Sequence, residues 1–265
     1  TALLVWLLKR GAGVLTLGLL TLLETFLRAG LQIWFARSRF PEIRRDPGSW
    51  DRGLFRSIVL YGLFAFVLTV CSRINTVAPN LVLGILGRPG DVAVYNQPLT
   101  IYMFLAEIIW ALAMVFVPLA SSLQEGGRAD QIRALVSKGS RYCLLIAAPI
   151  LFFLVVFGRE FLYAWMHWRP DSEENRAGYQ VLVLLCAAAV LQIGNQVPQA
   201  AILGMGRHRP LAGIYVVEAC LNLVLGVALV RKYGMLGVAL GGAVPAVLSN
   251  GILFPAYAAR VLGIS

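Results

Sequence analysis

The sequence predicts an all-α integral membrane protein with about seven full spans and one truncated span, on three observations. The first is composition. Hydrophobic residues make up 59% of the 265-residue chain and charged residues 14%, and the mean hydropathy is +0.76. A soluble domain carries about 45–50% apolar and about 25% charged residues, so this chain has too little polar surface to solvate a globule. The second is that the apolar residues run in blocks near the roughly 20 residues a spanning helix needs. The third is that arginines crowd the short segments between those blocks. A net charge of +10 would suggest nucleic acid in a soluble protein. Here it follows membrane topology, and no nucleic-acid partner is expected.

The elements follow in order. Residues 1–8 are apolar but too short to span, and Lys9-Arg10 come after them rather than before. A signal peptide places its charges first, so the start reads as a cut and the chain as the C-terminal part of a longer protein. Full spans are expected at 13–35, 55–86, 94–119, 142–161, 179–204, 211–230 and 236–261. The block 55–86 counts as one helix only if it tilts, protrudes or breaks, and Pro79 is the expected break. Residues 36–54 carry Pro41, Pro47 and Gly48 and read as a cytoplasmic linker between helical bundles. Residues 124–138 read as a loop or a short amphipathic helix, with Ile132, Leu135 and Val136 toward lipid.

Orientation comes from alternate loops. One set holds Arg37, Arg39, Arg44, Arg45, Arg52, Arg56, Arg128, Arg133, Lys138, Arg141, Arg207, Arg209 and Arg260. The other holds Lys9, Arg10, Arg88, Arg159, Arg169, Arg176, Arg231 and Lys232. The richer set is assigned to the cytoplasm, which leaves the loop at 165–175 outside. Cys71, Cys143, Cys186 and Cys220 each sit in an apolar block, without a CxxC pair, and read as small buried hydrophobes. His167 and His208 lie in separate loops, so no metal site is expected.

Charges and amides inside the spans fall at helical spacing. Thr21, Glu24, Thr25, Arg28 and Gln32 share one face, as do Thr69, Arg73, Thr76 and Asn80. Asn96, Thr100 and Glu107 share another, with Met103 between them. Gln192, Asn195, Gln196 and Gln199 form a dense stripe, and Glu218 and Asn222 stand one turn apart. One reading is interhelical hydrogen bonding, with Glu24 and Arg28 as a simple i,i+4 pair. Charges in a bilayer rarely face lipid, and five such spans together read as walls of one aqueous cavity. Pro79, Pro98, Pro118, Pro149, Pro198, Pro245 and the pair Gly241-Gly242 lie in or near spans. They read either as ordinary membrane-helix composition or as bends that change a cavity's access. No GxxxxGK[ST], HExxH or GxSxG pattern occurs. No enzymatic activity, catalytic residue or cofactor is therefore expected, and transport would draw on an ion gradient or the cargo's own.

Residues 83–123, with Gly87, Val92, Tyr95-Asn96, Pro118 and Ser121-Ser122, resemble the middle of polysaccharide flippases of the multidrug/oligosaccharidyl-lipid/polysaccharide exporter superfamily. So do Gly204-Met205-Gly206-Arg207 followed by Leu221-Asn222, and the stretch Tyr233-Gly234-Met235-Leu236-Gly237-Val238-Ala239. The order and spacing agree over residues 50–265. The resemblance implies two helical lobes around a central cavity. Residues 1–35 would end the first lobe, 36–54 would be the cytoplasmic linker and 55–265 would form most of the second. It implies a multi-pass protein of the bacterial inner membrane that moves a polyprenyl-pyrophosphate-linked oligosaccharide by alternating access, for surface polysaccharide biosynthesis. Polysaccharide polymerase and assembly proteins would be its partners.

On that reading Arg73 is the first candidate for the pyrophosphate and Arg28 the second, because guanidinium forks match phosphate oxygens. Asn80, Asn96, Thr100, Gln192, Asn195, Gln196, Gln199 and Asn222 are candidates for lining the cavity and contacting sugar. Glu107, Glu218 and Glu24 are candidates for coupling H+ or Na+. The two arginines and three glutamates sum to −1, which cuts against an anion site. A drug or cation antiporter of the same superfamily is the first alternative. A membrane polysaccharide polymerase or ligase is the second, although the outer loop with Arg169, Asp171 and Glu173 is short for an active site.

Overall fold

The computed structural model describes residues 14–39, 51–167, 169, 171–207 and 209–263. The truncated span at 1–8 and residues 40–50 of the expected linker lie outside the described residues. Secondary structure among those described is helical throughout, as an apolar solvent requires of a chain that must satisfy its own backbone. The protein is an all-α integral membrane protein. Among the described residues, six continuous helical stretches are long and apolar enough to cross a bilayer. The chain divides into two compact units, Thr1–Arg56 and Ser57–Ser265.

In the first unit, α1 (Val14–Arg39) carries the apolar stretch Gly18–Arg39. It extends four residues into the expected linker. Thr25 returns its hydroxyl to the Thr21 carbonyl at 2.7 Å, which satisfies a polar group without a partner helix. Glu24 and Arg28 make no ion pair.

The second unit holds the remaining helices apart from the first five residues of the next one. α2 (Arg52–Leu86) is continuous, so the expected break at Pro79 does not occur. Pro79 is buried, and packed surroundings let a membrane helix carry a proline through. At 35 residues the helix is about 52 Å long and must tilt or protrude. The break falls instead in the expected span 94–119, between α3 (Pro89–Met114) and α4 (Phe116–Glu125). Pro118 opposes the carbonyl four residues back, that of Met114, and the helix is interrupted there.

α5 (Ala129–Met166) runs unbroken for 38 residues. The amphipathic stretch is thus its opening turns. Ile132 and Val136 are buried in protein rather than turned to lipid, against Ala201, Ile202, Leu211 and Phe254. His167 ends the helix in the left-handed region at φ 56°. α6 (Glu173–Gly204) follows, with the Ser172 hydroxyl accepting from the Asn175 backbone N–H at 3.2 Å. Glu173 and Glu174 lie in its first turn, where carboxylates complement the helix dipole. Two acidic residues of the expected outer loop are therefore helical.

α6 is the central element and packs against α3, α4 and α5. Leu182, Cys186, Ala189, Ile193 and Val197 of α6 meet Ile109, Cys143, Ala147 and Leu154 in one core. Cys71, Cys143 and Cys186 are buried as expected, whereas Cys220 is exposed.

The final stretch, Arg209–Leu262, has 54 residues. A straight helix of that length would reach about 81 Å, well beyond a hydrocarbon core of about 30 Å. It is a hairpin. α7 (Arg209–Leu248) reverses at Gly234, whose φ of 54° and ψ of −131° lie outside the helical region. Such a conformation is open to glycine alone at little cost. Beyond the turn the arms touch backbone to backbone. A Cβ at Gly241 would stand 2.5 Å from the Gly226 nitrogen, and one at Gly237 would strike the Leu229 carbonyl. The arms correspond to the expected spans 211–230 and 236–261. A π turn at Ser249–Leu253 leads into α8 (Phe254–Leu262).

Candidate functional site: a polar cavity among the spans

Ser57–Ser265 holds a half-open cavity of about 570 Å³. α2, α3, α6 and both arms of α7 line it. α2 presents Ser72, Thr76 and Pro79, spaced i, i+4, i+7, with Arg73 and Asn75 to either side. α3 presents Tyr95, Tyr102, Glu107 and Trp110. α6 presents Gln192, Gln196 and Gln199, again i, i+4, i+7.

Two polar systems organise the walls. In the first, Asn222 donates to Asn75 Oδ1 at 3.1 Å and Asn75 donates to Glu218 Oε1 at 3.2 Å. Ser249, at the head of the π turn, lies beside the same carboxylate. Glu218 is half-buried, so the relay gives its carboxylate partners where solvation by water is reduced.

The second system runs along α6. The Tyr102 hydroxyl donates to Gln192 Oε1, and Tyr215 donates to Gln199 Oε1 at 3.1 Å. Gln196, only 4% exposed, sends its amide nitrogen to the Ala106 carbonyl at 3.3 Å. Its Oε1 is buried without a partner among the described residues.

Of the residues expected from sequence, Arg73, Glu107, Gln192, Gln196, Gln199, Glu218 and Asn222 come together around this cavity. Four others do not line it. Asn80 and Asn96 turn to each other, Nδ2 to Oδ1 at 3.2 Å, and Thr100 bonds the Asn96 carbonyl at 2.7 Å. Asn195 reaches the π turn, with Nδ2 2.6 Å from the Asn250 carbonyl. That carbonyl lies where the helical ladder changes register. These four pair between or along helices, the glue reading of their stripes. Glu24 and Arg28 lie on α1, in the other unit.

Sequence reading missed Asn75, Tyr102 and Tyr215. An asparagine in mid-span, beside Arg73 and Thr76, was a usable signal for the first, because an unpaired amide in hydrocarbon is costly. Nothing in the pattern marked the two tyrosines.

Comparison with known proteins gives consistent relatives. The chain is 22% identical over 202 residues to the "Uncharacterized membrane protein MJ1068" of Methanocaldococcus jannaschii, covering 76% of this chain and 39% of that protein. It is 22% identical over 188 residues to the "Probable low-salt glycan biosynthesis flippase Agl15" of Haloferax volcanii, covering 71% of this chain and 39% of that protein. The matched region thus spans about two fifths of the length of these relatives. No solved structure matches the chain. A family model described as "Polysaccharide biosynthesis protein" matches residues 1–166. With multi-pass apolar helices and a match over more than half its length, this chain belongs to that family of polysaccharide biosynthesis membrane proteins.

Proposed function

We propose that this chain is part of a secondary transporter that carries a polyprenyl-pyrophosphate-linked oligosaccharide across the membrane by alternating access. The observation that carries the reading is the cavity itself. A space of about 570 Å³ inside membrane-spanning helices, walled by Arg73, three glutamines and two asparagines, has no use in a simple anchor. It suits a cargo with a phosphate head and a sugar chain. Arg73 is exposed and makes no ion pair among the described residues, so its guanidinium is available as a bidentate donor to phosphate oxygens. The amides supply hydrogen bonds to sugar. The likeness to a Haloferax volcanii protein named as a probable glycan biosynthesis flippase supports movement of a glycan.

Glu218 is the residue proposed to exchange the coupling H+ or Na+. Its carboxylate sits between Asn75 of α2, its own arm of α7, and Ser249 after the second arm. Occupancy there bears on three elements whose separation would change access to the cavity. Bacterial inner-membrane residence, and assembly with a polymerase, belong to this proposal. The two relatives named above are archaeal, and the multi-pass reading does not depend on the organism.

A drug or cation antiporter of the same fold is the second reading. It is favoured by one observation: two carboxylates, Glu107 and Glu218, face the cavity against one arginine. The test is deletion of the full-length parent gene, with surface polysaccharide and lipid-linked units measured together. Lost polymer with complete lipid-linked units trapped on the cytoplasmic leaflet is the expected result. Single units that still reach the surface would indicate a polymerase or ligase. Unchanged polysaccharide would overturn the flippase reading in favour of the antiporter.

A further inference from the structure

We infer that the α6 wall of the cavity is a hydrogen-bond donor surface, held so by Tyr102 and Tyr215, and that it selects sugars bearing a carbonyl oxygen, uronate or N-acyl, over sugars bearing hydroxyls alone. The inference rests on the transport reading above and adds a substrate class to it.

A glutamine amide offers two acceptor lone pairs on Oε1 and two N–H donors, so a free one recognises hydroxyls and carbonyls alike. Gln192 and Gln199 are not free. Each has one Oε1 lone pair taken by a tyrosine hydroxyl, which leaves donors in excess over acceptors. The orientation follows from the phenols. Neither Tyr102 nor Tyr215 makes another hydrogen bond among the described residues. With the amide turned over, each phenol would accept from nitrogen, and its own proton would be left unpaired in a half-buried site. Donation to Oε1 is the arrangement that satisfies both groups.

The consequence is directional. Both glutamines line the cavity, and neither amide nitrogen has a partner among the described residues. Gln199 is only 7% exposed, yet its nitrogen is not among the buried unpaired atoms. The small exposure it retains therefore includes the NH2 group, turned to the cavity. The third glutamine reinforces the bias. Gln196 Oε1, which could have accepted from a sugar hydroxyl, is buried behind the wall.

Against such a wall donors outnumber the remaining acceptors, so a carbonyl or carboxylate oxygen, which only accepts, is matched more fully than a hydroxyl, which also has a proton to place. A site built for one hydrogen-bonding pattern discriminates strongly against a group that leaves part of the pattern unmet. Tyr102 and Tyr215 are positioning residues here, since they act through the amides.

The test uses the full-length parent protein in lipid nanodiscs with three synthetic polyprenyl-pyrophosphate disaccharides. These differ in one ring substituent: glucose, N-acetylglucosamine or glucuronate. The expected result is that the last two bind about tenfold tighter than the first, the scale of one well-placed hydrogen bond. Replacing both tyrosines (Tyr102→Phe with Tyr215→Phe) keeps the rings and frees the amides. It should bring that ratio close to one while binding of the glucose compound is retained. Equal binding of all three by the native protein would overturn the donor wall and leave the transport reading standing, because the pyrophosphate would then carry recognition alone. Selectivity that persists in the tyrosine variants would overturn the role of the phenols. Failure of all three compounds to bind would overturn this inference and the transport reading together.

Discussion

Asn222 on α7 donates to Asn75 on α2 across 3.1 Å, and the two residues, 147 positions apart in sequence, form the inner part of a relay that ends on Glu218. Asn222 is 4% exposed, so its amide has no ready replacement partner in water. Removing either residue leaves buried polar groups unmatched.

Asn75→Ala and Asn222→Ala are each expected to lower stability in detergent by about 1–2 kcal/mol, the cost of orphaned buried hydrogen-bonding groups. Because both act through one relay, the double variant should cost less than the sum of the single ones. Thermal unfolding of the three variants measures this. Strict additivity would mean that the two amides do not share a network.

The hairpin of α7 makes a second prediction from sterics. A Cβ on Gly241 would stand 2.5 Å from the Gly226 backbone nitrogen, and backbone cannot swing aside as a flexible side chain can. Gly241→Ala should force the arms apart and lose about 1–3 kcal/mol, as overpacking does. Gly213→Ala is the control. Nothing lies within 4 Å of its Cβ position, so its effect should stay within about 0.5 kcal/mol. Similar melting temperatures for the two variants would contradict the close packing of the arms.

Hydropathy made the spans readable because a bilayer imposes length and apolarity directly on sequence. The reversal at Gly234 was readable for the same reason, since Arg231 and Lys232 interrupt the apolar run. Helix ends were less legible. Residues 124–138 read as a loop or a short amphipathic helix, yet from Ala129 on they belong to α5, and Arg133 within them bonds the Leu262 carbonyl at 2.8 Å. Only tertiary structure supplies that partner.

The cavity stripes were legible in kind but offset in angle. The face of α2 toward the cavity centres on Ser72, Thr76 and Pro79. At 100° per residue, Asn80 stands about 80° from Ser72 around the helix, which takes it to Asn96 instead of the cavity. Asn195 likewise lies about 60° from Gln192 and faces the π turn. Spacing finds a polar face. It does not reveal which neighbour that face meets.

Arg73 should matter for the cargo and little for the fold. It lines the cavity, is exposed and has no ion pair among the described residues, so no packing there depends on its charge. Arg73→Gln in the full-length protein is expected to weaken binding of a polyprenyl pyrophosphate at least about tenfold, a charge-assisted pair being worth about 1.5–3 kcal/mol. Arg73→Lys should recover only part, because an ammonium cannot grip two oxygens in a fixed plane. Competition binding checks both variants. Unchanged affinity would remove Arg73 from the pyrophosphate site.

Glu218 and Glu107 face one cavity and should behave differently. Glu218 Oε1 accepts from Asn75, and Ser249 lies beside the same carboxyl. Glutamine keeps an Oε1 acceptor for Asn75 but cannot exchange a proton or hold a cation by charge. Glu218→Gln should therefore stay folded, with a melting temperature near that of the parent, while translocation ceases to respond to an imposed proton or sodium gradient. Glu107 is exposed and lacks any hydrogen-bonding or ionic partner among the described residues. Its carboxyl bridges no elements, so Glu107→Gln should leave the gradient response in place and alter at most the affinity for cargo. Translocation into liposomes by the full-length protein, at fixed cargo and with each gradient applied in turn, separates the two. A gradient response retained in Glu218→Gln and lost in Glu107→Gln would move the coupling site from α7 to α3.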